Sequence, residues 1–480
     1  MNADAYENPL TARYASAEMS ALFSARHKFA TWRRLWLALA EGERELGLPI
    51  PEAAIAALAG RLVPTDEELA AAERYERETK HDVMAQIHAL GDAVPEARAF
   101  LHLGATSAFV GDNADLLVLR DALALLERRV VRVISRLAAF AREHAGLACT
   151  GWTHFQAAQP TTVGKRACLW LQDLVLDHHE IERRAAELRF LGCKGATGTQ
   201  ASFVALFGGD AEKAERLDRK VAEKMGFPKR LLVSGQTYTR KQDALVLSAL
   251  SGLAASASKF AHDLRLLQHL KEVEEPFGAK QVGSSAMPYK RNPMKCERMN
   301  ALARWILTTA ENGSWTHATQ WLERTLDDSA NRRLALAESF LAADALLVLQ
   351  EAVVDGLVVH PEVIRRRLAE ELPFLATENV LMAAAKKGGD RQVLHERIRV
   401  HAQAAGDRLK AAGGENDLLE RIAADPAFGL SREEVAAAAD PRLFVGRAPA
   451  QVAEFLAAEV DPLLAARAEA LAGRAVEVKV

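Results

Sequence analysis

One segment of the chain combines the residue types of a mobile loop that could bind an anion. Between Gly278 and Pro293 the sequence has two Gly, two Pro, the adjacent serines Ser284 and Ser285, and three cations. Glycine and proline interrupt helices, so this stretch is expected to connect two helices as a loop. A hydroxyl and several positive charges on a mobile loop could close over an anionic substrate. An ordinary surface loop has the same composition, so composition alone leaves both interpretations open.

Four further polar segments interrupt an otherwise helical pattern. They combine cations, histidines, hydroxyls and carboxylates, and several lie beside turn-forming residues next to a long helical pattern. The first residues of a helix leave backbone N–H groups without partners, and such ends bind anions. The last segment could instead be a solvated helix face in which Asp327 and Asp328 pair with its arginines. The four segments lie at 80–82, 102–113, 151–156 and 323–333.

Sequence templates of several nucleotide-, cofactor- and metal-dependent enzymes are absent. The sequence has no G-x-x-x-x-G-K-[ST], no G-x-G-x-x-G after a strand, no H-E-x-x-H and no G-x-S-x-G. Its four cysteines lie far apart without a C-x-x-C pair, so neither a disulfide framework nor a zinc site follows. The pairs His178-His179 and His395-Glu396 lack a partner at ligand spacing and are expected to be structural. We therefore expect no metal site.

The helical pattern predicts a bundle of long helices that positions these segments. From Asp112 to Ala145 the chain has neither Gly nor Pro, and apolar residues recur at steps of three and four from Leu116 to Phe140. This spacing predicts an amphipathic helix of about thirty residues, well above the mean of ~11–12. Helices of this length must bury their apolar stripes against one another. Comparable patterns lie at 161–190, 241–274, 294–312 and 328–356.

The whole chain is predicted to be all-α, because strand signals are scarce and none is long enough to build a sheet around. Before residue 110 and after residue 360 the helical pieces are short and separated by Pro and Gly. We predict a central bundle of long helices flanked by two smaller helical domains. The predicted domains are an N-terminal domain at 1–110, the bundle as oligomerisation core at 111–360, and a C-terminal domain at 361–480.

Composition excludes some classes of function. The 480 residues are 49% hydrophobic and 26% charged, and 61 Lys+Arg against 64 Asp+Glu give a net charge of -3. Proteins that coat nucleic acids usually carry a basic excess, so this near-balance argues against such a role but not against a small anionic ligand. The longest uncharged stretch, 244–258, is too short to span a membrane, and no signal peptide is visible. We expect a soluble, cytoplasmic protein without nucleic-acid or membrane partners.

The loop sequence GSSAMPYKRNP resembles the GSSxMPxKxNP signature of the fumarase/aspartase superfamily, whose members eliminate fumarate or a close relative. Within that superfamily the chain is similar to the adenylosuccinate lyases in further blocks: KHD at 80–82, GATS at 104–107, GWTHFQ at 151–156, SGQTY at 234–238 and ERTLDDSANRR at 323–333. The resemblance runs from about residue 13 to 447. It implies a fumarase/aspartase-like fold, cleavage of adenylosuccinate to AMP and fumarate and of SAICAR to AICAR and fumarate, no cofactor, and a homotetramer with active sites shared between subunits.

The resemblance also implies roles for single residues. The elimination needs a base for a weakly acidic proton beside a carboxylate, positive charge for the intermediate, and an acid for the departing nitrogen. Ser284 would be the base, with Lys290 as the cation that makes its proton easier to lose. His154 would be the acid, and Glu297 would pair with that histidine and orient it.

A larger set of residues is expected to bind substrate by the same resemblance. A phosphate and two carboxylates need cations in fixed geometry, which arginine forks provide. The nucleotide and phosphate side is implied for Arg13, Tyr14, Lys80, His81, Asp82, Arg298, Arg324, Ser329 and Arg333. The succinyl part and the reacting centre are implied for Thr106, Ser107, Thr153, Gln236, Lys290 and Asn292, with His102 as a further active-site histidine.

Two alternatives remain at this point. Argininosuccinate lyase and cycloisomerase relatives share the signature loop, which therefore cannot separate them, whereas KHD, SGQTY and TLDDSANRR favour the nucleotide substrate. A catalytically silent structural member would be expected to lack the acid or the base, and this chain has both Ser284 and His154.

Overall fold

The N-terminal part of the chain is built of short and medium helices. The computed structural model describes residues 4–472 and residue 478. A capping box formed by Thr65 and Glu68 begins α4, and α2 ends just before Gly47, whose φ of +101° lets the chain turn away. The helices are α1 (Ala17–Leu22), α2 (Ala25–Glu45), α3 (Glu52–Ala59), α4 (Asp66–Thr79) and α5 (Asp82–Ala93), with short turns of helix at Leu10–Tyr14 and Pro95–Phe100.

The middle of the chain contains the long helices that the periodicity predicts. The apolar stripe from Leu116 to Phe140 is buried, and its helix starts five residues before the predicted start, at Ser107. The elements are α6 (Ser107–Glu143), β1 (Ala148–Thr153), β2 (Gln156–Thr162), α7 (Val163–Glu187), α8 (Ala201–Leu206), α9 (Ala211–Lys224), α10 (Lys241–His269), β3 (Val273–Glu274), α11 (Met294–Thr309), α12 (Glu311–Ala318) and α13 (Asp328–Asp355).

These long helices pack side by side into one bundle. Helix α6 packs against α7 and α13, α10 packs against α7, α11 and α13, and α11 packs against α13. Helix α10 is, among the described residues, the one helix long and apolar enough to cross a membrane, but half of its most apolar window is buried inside the bundle. That burial is the pattern of a core helix, for which one such match is weak evidence of a membrane span.

The last part of the chain returns to shorter helices. Residues 380–435 contribute a second apolar core, which is separate from the main one. The elements are β4 (Val358–Val359), α14 (Pro361–Leu375), α15 (Thr377–Lys386), α16 (Arg391–Ala412), α17 (Leu418–Ala424), α18 (Arg432–Ala438), α19 (Ala448–Phe455), α20 (Asp461–Ala466) and α21 (Ala468–Leu471), with short helical turns at Pro426–Phe428, Pro441–Leu443 and Leu456–Val460.

The all-α prediction is confirmed, with two small additions. Strands β1 and β2 form an antiparallel hairpin, and β3 pairs with β4 over two residues. The predicted helical pattern at 161–190 therefore begins with the end of β2, and that at 241–274 ends in β3. The predicted pattern at 294–312 is divided between α11 and α12. The domain boundaries at 110 and 360 stay predictions.

A buried carboxyl group lies in α2 without a partner. Both carboxyl oxygens of Glu43 are buried and have no hydrogen-bond partner among the described residues. Burial raises the pKa of Glu43 to about 9. The side chain is thus neutral in the folded protein at pH 7, whereas it is ionised in the unfolded chain.

Replacing Glu43 with Gln is expected to stabilise the protein above pH 5. The native state holds this proton up to about pH 9 while the unfolded state releases it near 4.5, so the wild type loses stability as the pH rises between the two values. The gain should be absent near pH 4 and about 3 kcal/mol at pH 7. Urea unfolding of both proteins at pH 5, 7 and 8 measures it, with the exposed Glu73→Gln as control. An equal difference at all three pH values would contradict a buried neutral carboxyl.

Candidate active site

A cavity of about 700 Å³ lies where three helices begin. Its wall includes residues at the starts of α5, α6 and α13, so three positive helix ends face one space. Backbone N–H groups and helix dipoles at such ends favour anions. Eight of the sequence-predicted substrate residues line this cavity: Lys80, His81, Asp82, Ser107, Gln236, Arg324, Ser329 and Arg333.

The KHD segment forms the junction between α4 and α5. Lys80 ends α4 in the left-handed conformation at φ 55°, and His81 caps α5 through its ring. The Nδ1 atom of His81 accepts from the backbone N–H of Met84 at 3.2 Å, so the neutral ring carries its proton on Nε2. Asp82 accepts from the N–H of Val83 at 2.8 Å. The local cap thus fixes the tautomer of one cavity histidine.

Part of the cavity wall is a buried network of ion pairs that sequence reasoning missed. Arg240 donates to both carboxylate oxygens of Asp112 at 3.0 and 3.1 Å and to Asp328 at 2.7 Å. Arg332 donates to Asp243 at 2.7 Å. The network joins the beginnings of α6, α10 and α13. It therefore fixes the relative positions of α6 and α13, which provide two of the cavity's three helix ends.

The ring of Tyr238 lies inside this network. Its hydroxyl donates to Asp243 at 2.6 Å, and the guanidinium carbons of Arg240 and Arg332 lie 4.5 and 5.3 Å from its ring centroid. Breaking a buried pair by removing one partner is costly, so this cluster specifies one arrangement of the helices. The SGQTY block is thus partly structural: Gln236 lines the cavity, whereas the buried Tyr238 supports the ion-pair network of its wall.

The arginine cluster at 323–333 contributes both buried and accessible residues to the cavity wall. Asp328 and Arg332 line the cavity but are buried in ion pairs of the network, so they support its structure. Arg324 lines the cavity and has no ion-pair partner among the described residues, and Arg333 lies 3.3 Å from Asp82. The alternative of a solvated helix face does not hold for Asp328 and Arg332, which are buried, whereas Arg333 is exposed.

His102 does not line the cavity. Its Nδ1 accepts from the indole N–H of Trp36 at 2.9 Å, and its backbone φ is 63°. Burial, with a smaller contribution from His81, lowers the pKa of His102 to about 4. The ring is therefore neutral at pH 7 with its proton on Nε2, which makes it a hydrogen-bond donor and not an imidazolium acid. The neighbouring Thr106 precedes α6 and likewise lies outside the cavity lining.

His154 lies at the tip of the β1–β2 hairpin, away from the cavity wall. Thr153 pairs with Gln156, which leaves His154 and Phe155 as a two-residue turn with φ of 53° and 56°. Such a turn favours Asn-Gly, and each non-glycine residue in the left-handed region costs about 1 kcal/mol. Thr153, His154 and Phe155 are exposed. Strained backbone positions cluster at functional sites, which agrees with the role predicted for His154.

The signature loop connects β3 to α11 and is held at both ends. The Oγ of Ser284 accepts from the N–H of Met287 at 3.1 Å, so a loop N–H already faces the oxygen that would lose its proton. Asn292 donates to the carbonyl of Gly283 at 2.7 Å, which closes the loop on itself. Lys290 is exposed and forms no ion pair among the described residues. The loop is thus ordered at its base and presents Lys290 to solvent.

The remaining predicted residues lie on or beside α11. Glu297 is exposed and 3.9 Å from Arg265, and it has no contact with His154 within the described chain. The expected pairing of this carboxylate with the histidine is therefore not formed inside one subunit. The guanidinium of Arg298 lies 5.8 Å from the ring of Tyr14, next to Arg13. The predicted site thus falls into three groups: the cavity, the hairpin, and the loop with α11.

The chain matches the family model described as Lyase over residues 17–307 and the model Adenylosuccinate lyase C-terminus over 373–455. It is 51% identical to the adenylosuccinate lyase of Saccharomyces cerevisiae, with 96% of each chain covered, and 46% identical to that of Schistosoma mansoni, with 97% covered.

Solved structures share the fold. A fumarate lyase from Mesorhizobium sp. BNC1 superposes with a TM-score of 0.79 at 26% identity, covering 95% of this chain and all of that one. A 3-carboxy-cis,cis-muconate lactonizing enzyme from Pseudomonas putida superposes with a TM-score of 0.81 at 24% identity, covering 95% and 99%. Fold, motifs and full-length identity agree, and the chain therefore belongs to the adenylosuccinate lyase family of the fumarase/aspartase superfamily.

Proposed function

We propose that this protein is a carbon–nitrogen lyase that cleaves adenylosuccinate to AMP and fumarate, and SAICAR to AICAR and fumarate. The observation that carries the proposal is the cavity at three helix N-termini, because helix ends and cations together suit the phosphate of a nucleotide. Among the described residues neither Lys80 nor Arg324 has an ion-pair partner, so both are available to an anionic ligand. Membership of the family supplies the identity of the nucleotide.

The proposed mechanism assigns the base to the signature loop. Ser284 releases its own proton to solvent before the reaction, and the resulting alkoxide removes the proton from the carbon beside a carboxylate of the succinyl group. The N–H of Met287 at 3.1 Å stabilises the alkoxide, and Lys290 adds positive charge when the loop closes. Negative charge then builds up on the carboxylate, and loop N–H groups and cations are the groups that offset it.

The departing nitrogen receives its proton from the hairpin. As the carbon–nitrogen bond breaks, its electron pair moves onto the nitrogen, and the imidazolium of His154 protonates it. The electrons of the former C–H bond form the double bond of fumarate. Glu297 is assigned to orient His154, and since these two side chains are apart within one chain, the contact has to form between subunits.

We also propose a homotetramer in which subunits share active sites. The cavity, the hairpin and the loop contribute different predicted residues, and His154 is exposed in the single chain. Large apolar side chains on the bundle are exposed as well, which marks an interaction surface. They include Leu169 and Leu176 on α7, Leu245 and Leu266 on α10, Trp305 on α11, Trp315 on α12 and Leu334 on α13.

Two measurements test the proposed function. An absorbance assay of the purified protein should show turnover of adenylosuccinate and no turnover of argininosuccinate, without added cofactor. The reverse preference would replace the substrate assignment, and turnover of neither would favour a silent structural member of the fold. Light scattering should give a mass four times that of one chain, whereas a monomer that turns over substrate would contradict shared sites.

A further inference from the structure

A lysine on α2 shares the cavity wall with the groups that begin α5 and α13. Lys28 lines the cavity, and its ammonium lies 4.7 Å from the ring centroid of Trp32 and 5.3 Å from that of Phe29. Cation–π contacts of this kind hold a lysine head group over an aromatic surface. The side chain is 38% exposed, and Trp32 shares the same wall of the cavity. Lys28 lies outside the five polar segments that the sequence indicates as candidate sites.

The charges around Lys28 leave it incompletely neutralised. Its ammonium is 3.9 Å from Asp82, beyond hydrogen-bond distance, and the same carboxylate oxygen is 3.3 Å from Arg333. The other oxygen of Asp82 accepts from the N–H of Val83. One carboxylate therefore serves two cations and a helix end, which leaves a positive excess at this corner of the cavity.

The remaining charged groups near Lys28 do not remove that excess. Glu76 and Asp115 also line the cavity, but Asp115 already pairs with Arg332 at 2.9 Å. Glu76 is a single carboxylate, whereas the same cavity has two further cations, Lys80 and Arg324, without an ion-pair partner among the described residues. Burial lowers the pKa of Lys28, with Arg333 acting in the same direction and the three carboxylates against it. An anionic ligand beside the ammonium would offset this desolvation.

We propose that Lys28 is a further phosphate-binding residue, which acts together with Arg333 on the nucleotide's phosphate, with Asp82 lying near both cations. The inference rests on the proposed function, which supplies a phosphate-bearing substrate. Lys28 reaches the cavity from α2, so it adds a cation from an element that contributes none of the three helix ends. A lysine acts on phosphate as a point charge, which complements the planar fork of Arg333.

The experiment compares AMP with adenosine, which differ by the phosphate alone. Calorimetric titration of the full-length protein should show that Lys28→Met weakens AMP binding about ten- to hundredfold while adenosine binding changes less than about twofold. Lys28→Arg should keep most of the preference for AMP. Arg34→Met, an exposed cation on the same helix, should leave both affinities unchanged.

A purely structural role for Lys28 predicts a different result. If Lys28 only supports Trp32 or Asp82, Lys28→Met will weaken AMP and adenosine binding alike, and the proposal is overturned. It is equally overturned if the wild type does not prefer AMP to adenosine. Turnover of adenylosuccinate by the wild type is measured in parallel, so that failure of the proposed function is seen there and failure of the Lys28 assignment in the binding ratio.

Discussion

Replacing Ser284 with Ala is expected to lower kcat for adenylosuccinate by roughly a thousandfold, within the range that removal of a general base costs. The hydroxyl oxygen is the proposed proton acceptor, and alanine offers none. The hydrogen bond from Met287 to Ser284 is local to the loop, so its loss should not unfold the bundle. Because the loss concerns the transition state, kcat should fall far more than KM rises. Single-turnover kinetics with excess enzyme measures the chemical step directly.

The neighbouring serine provides a matched control for this substitution. Ser285 stands beside Ser284 in the same loop and is exposed, but its hydroxyl forms no hydrogen bond among the described residues. Ser285→Ala should therefore retain kcat within a few-fold of the wild type. If Ser285→Ala is the inactive variant and Ser284→Ala is active, the base has been assigned to the wrong serine. Near-normal rates for both variants would show that neither serine of the loop is the general base.

The long helices could be predicted from sequence because their pattern is local and repeated. In α6, the apolar residues at steps of three and four from Leu116 to Leu137 are all buried, and neither Gly nor Pro interrupts them after Gly111. The hairpin could not be predicted in the same way. Strands β1 and β2 read ACTGWT and QAAQPTT, without alternation and with a register irregularity between Cys149 and Gly151. The two short strands are stabilised by pairing with each other, and the sequence of either strand alone does not predict that pairing.

The candidate site was predictable to the extent that its residues lie in short polar blocks. Lys80, Arg324 and Arg333 were found this way, and the structure brings them to one cavity. Arg240 and Asp243 were missed, because they are single charged residues at the start of a helix whose partners lie 85 to 130 positions away in the chain. Contacts at such separation depend on how the helices pack. Lys28 could not be predicted for the same reason, because nothing in the sequence of α2 indicates that this lysine lies at a ligand-binding cavity.

The separation of the predicted site into three groups follows from the geometry of the bundle. Helix ends build the cavity, whereas the hairpin follows the end of α6 and the loop precedes α11. Within one chain Glu297 lies near Arg265 and not His154, so the proposed pairing of the acid with this carboxylate requires two different subunits. Association that buries the apolar side chains of α7 and α10–α13 would complete the site and cover the exposed surface together. Activity and assembly are then linked.

His154→Ala is expected to lower kcat by roughly 10²- to 10⁴-fold, as for loss of a general acid. The departing nitrogen would then leave without a proton donor. Alanine keeps the two-residue turn, with the same left-handed backbone cost, so the hairpin should persist and the oligomer should form. The exposed His395, which lies on α16, is the control, and His395→Ala should leave the rate unchanged. A His154→Ala enzyme with normal kcat would refute the assignment of the acid.

Mixing the two inactive variants distinguishes a site that is shared between subunits from a site that lies within one chain. When Ser284→Ala and His154→Ala subunits are dissociated and reassembled in equal amounts, about one quarter of the sites should receive both an intact serine and an intact histidine if these come from different subunits. If both come from the same chain, every site keeps one defect and no activity returns. Recovery after reassembly, with none in a simple mixture of preformed oligomers, would place the base and the acid on different subunits, which the exposed position of His154 in the single chain leads us to expect.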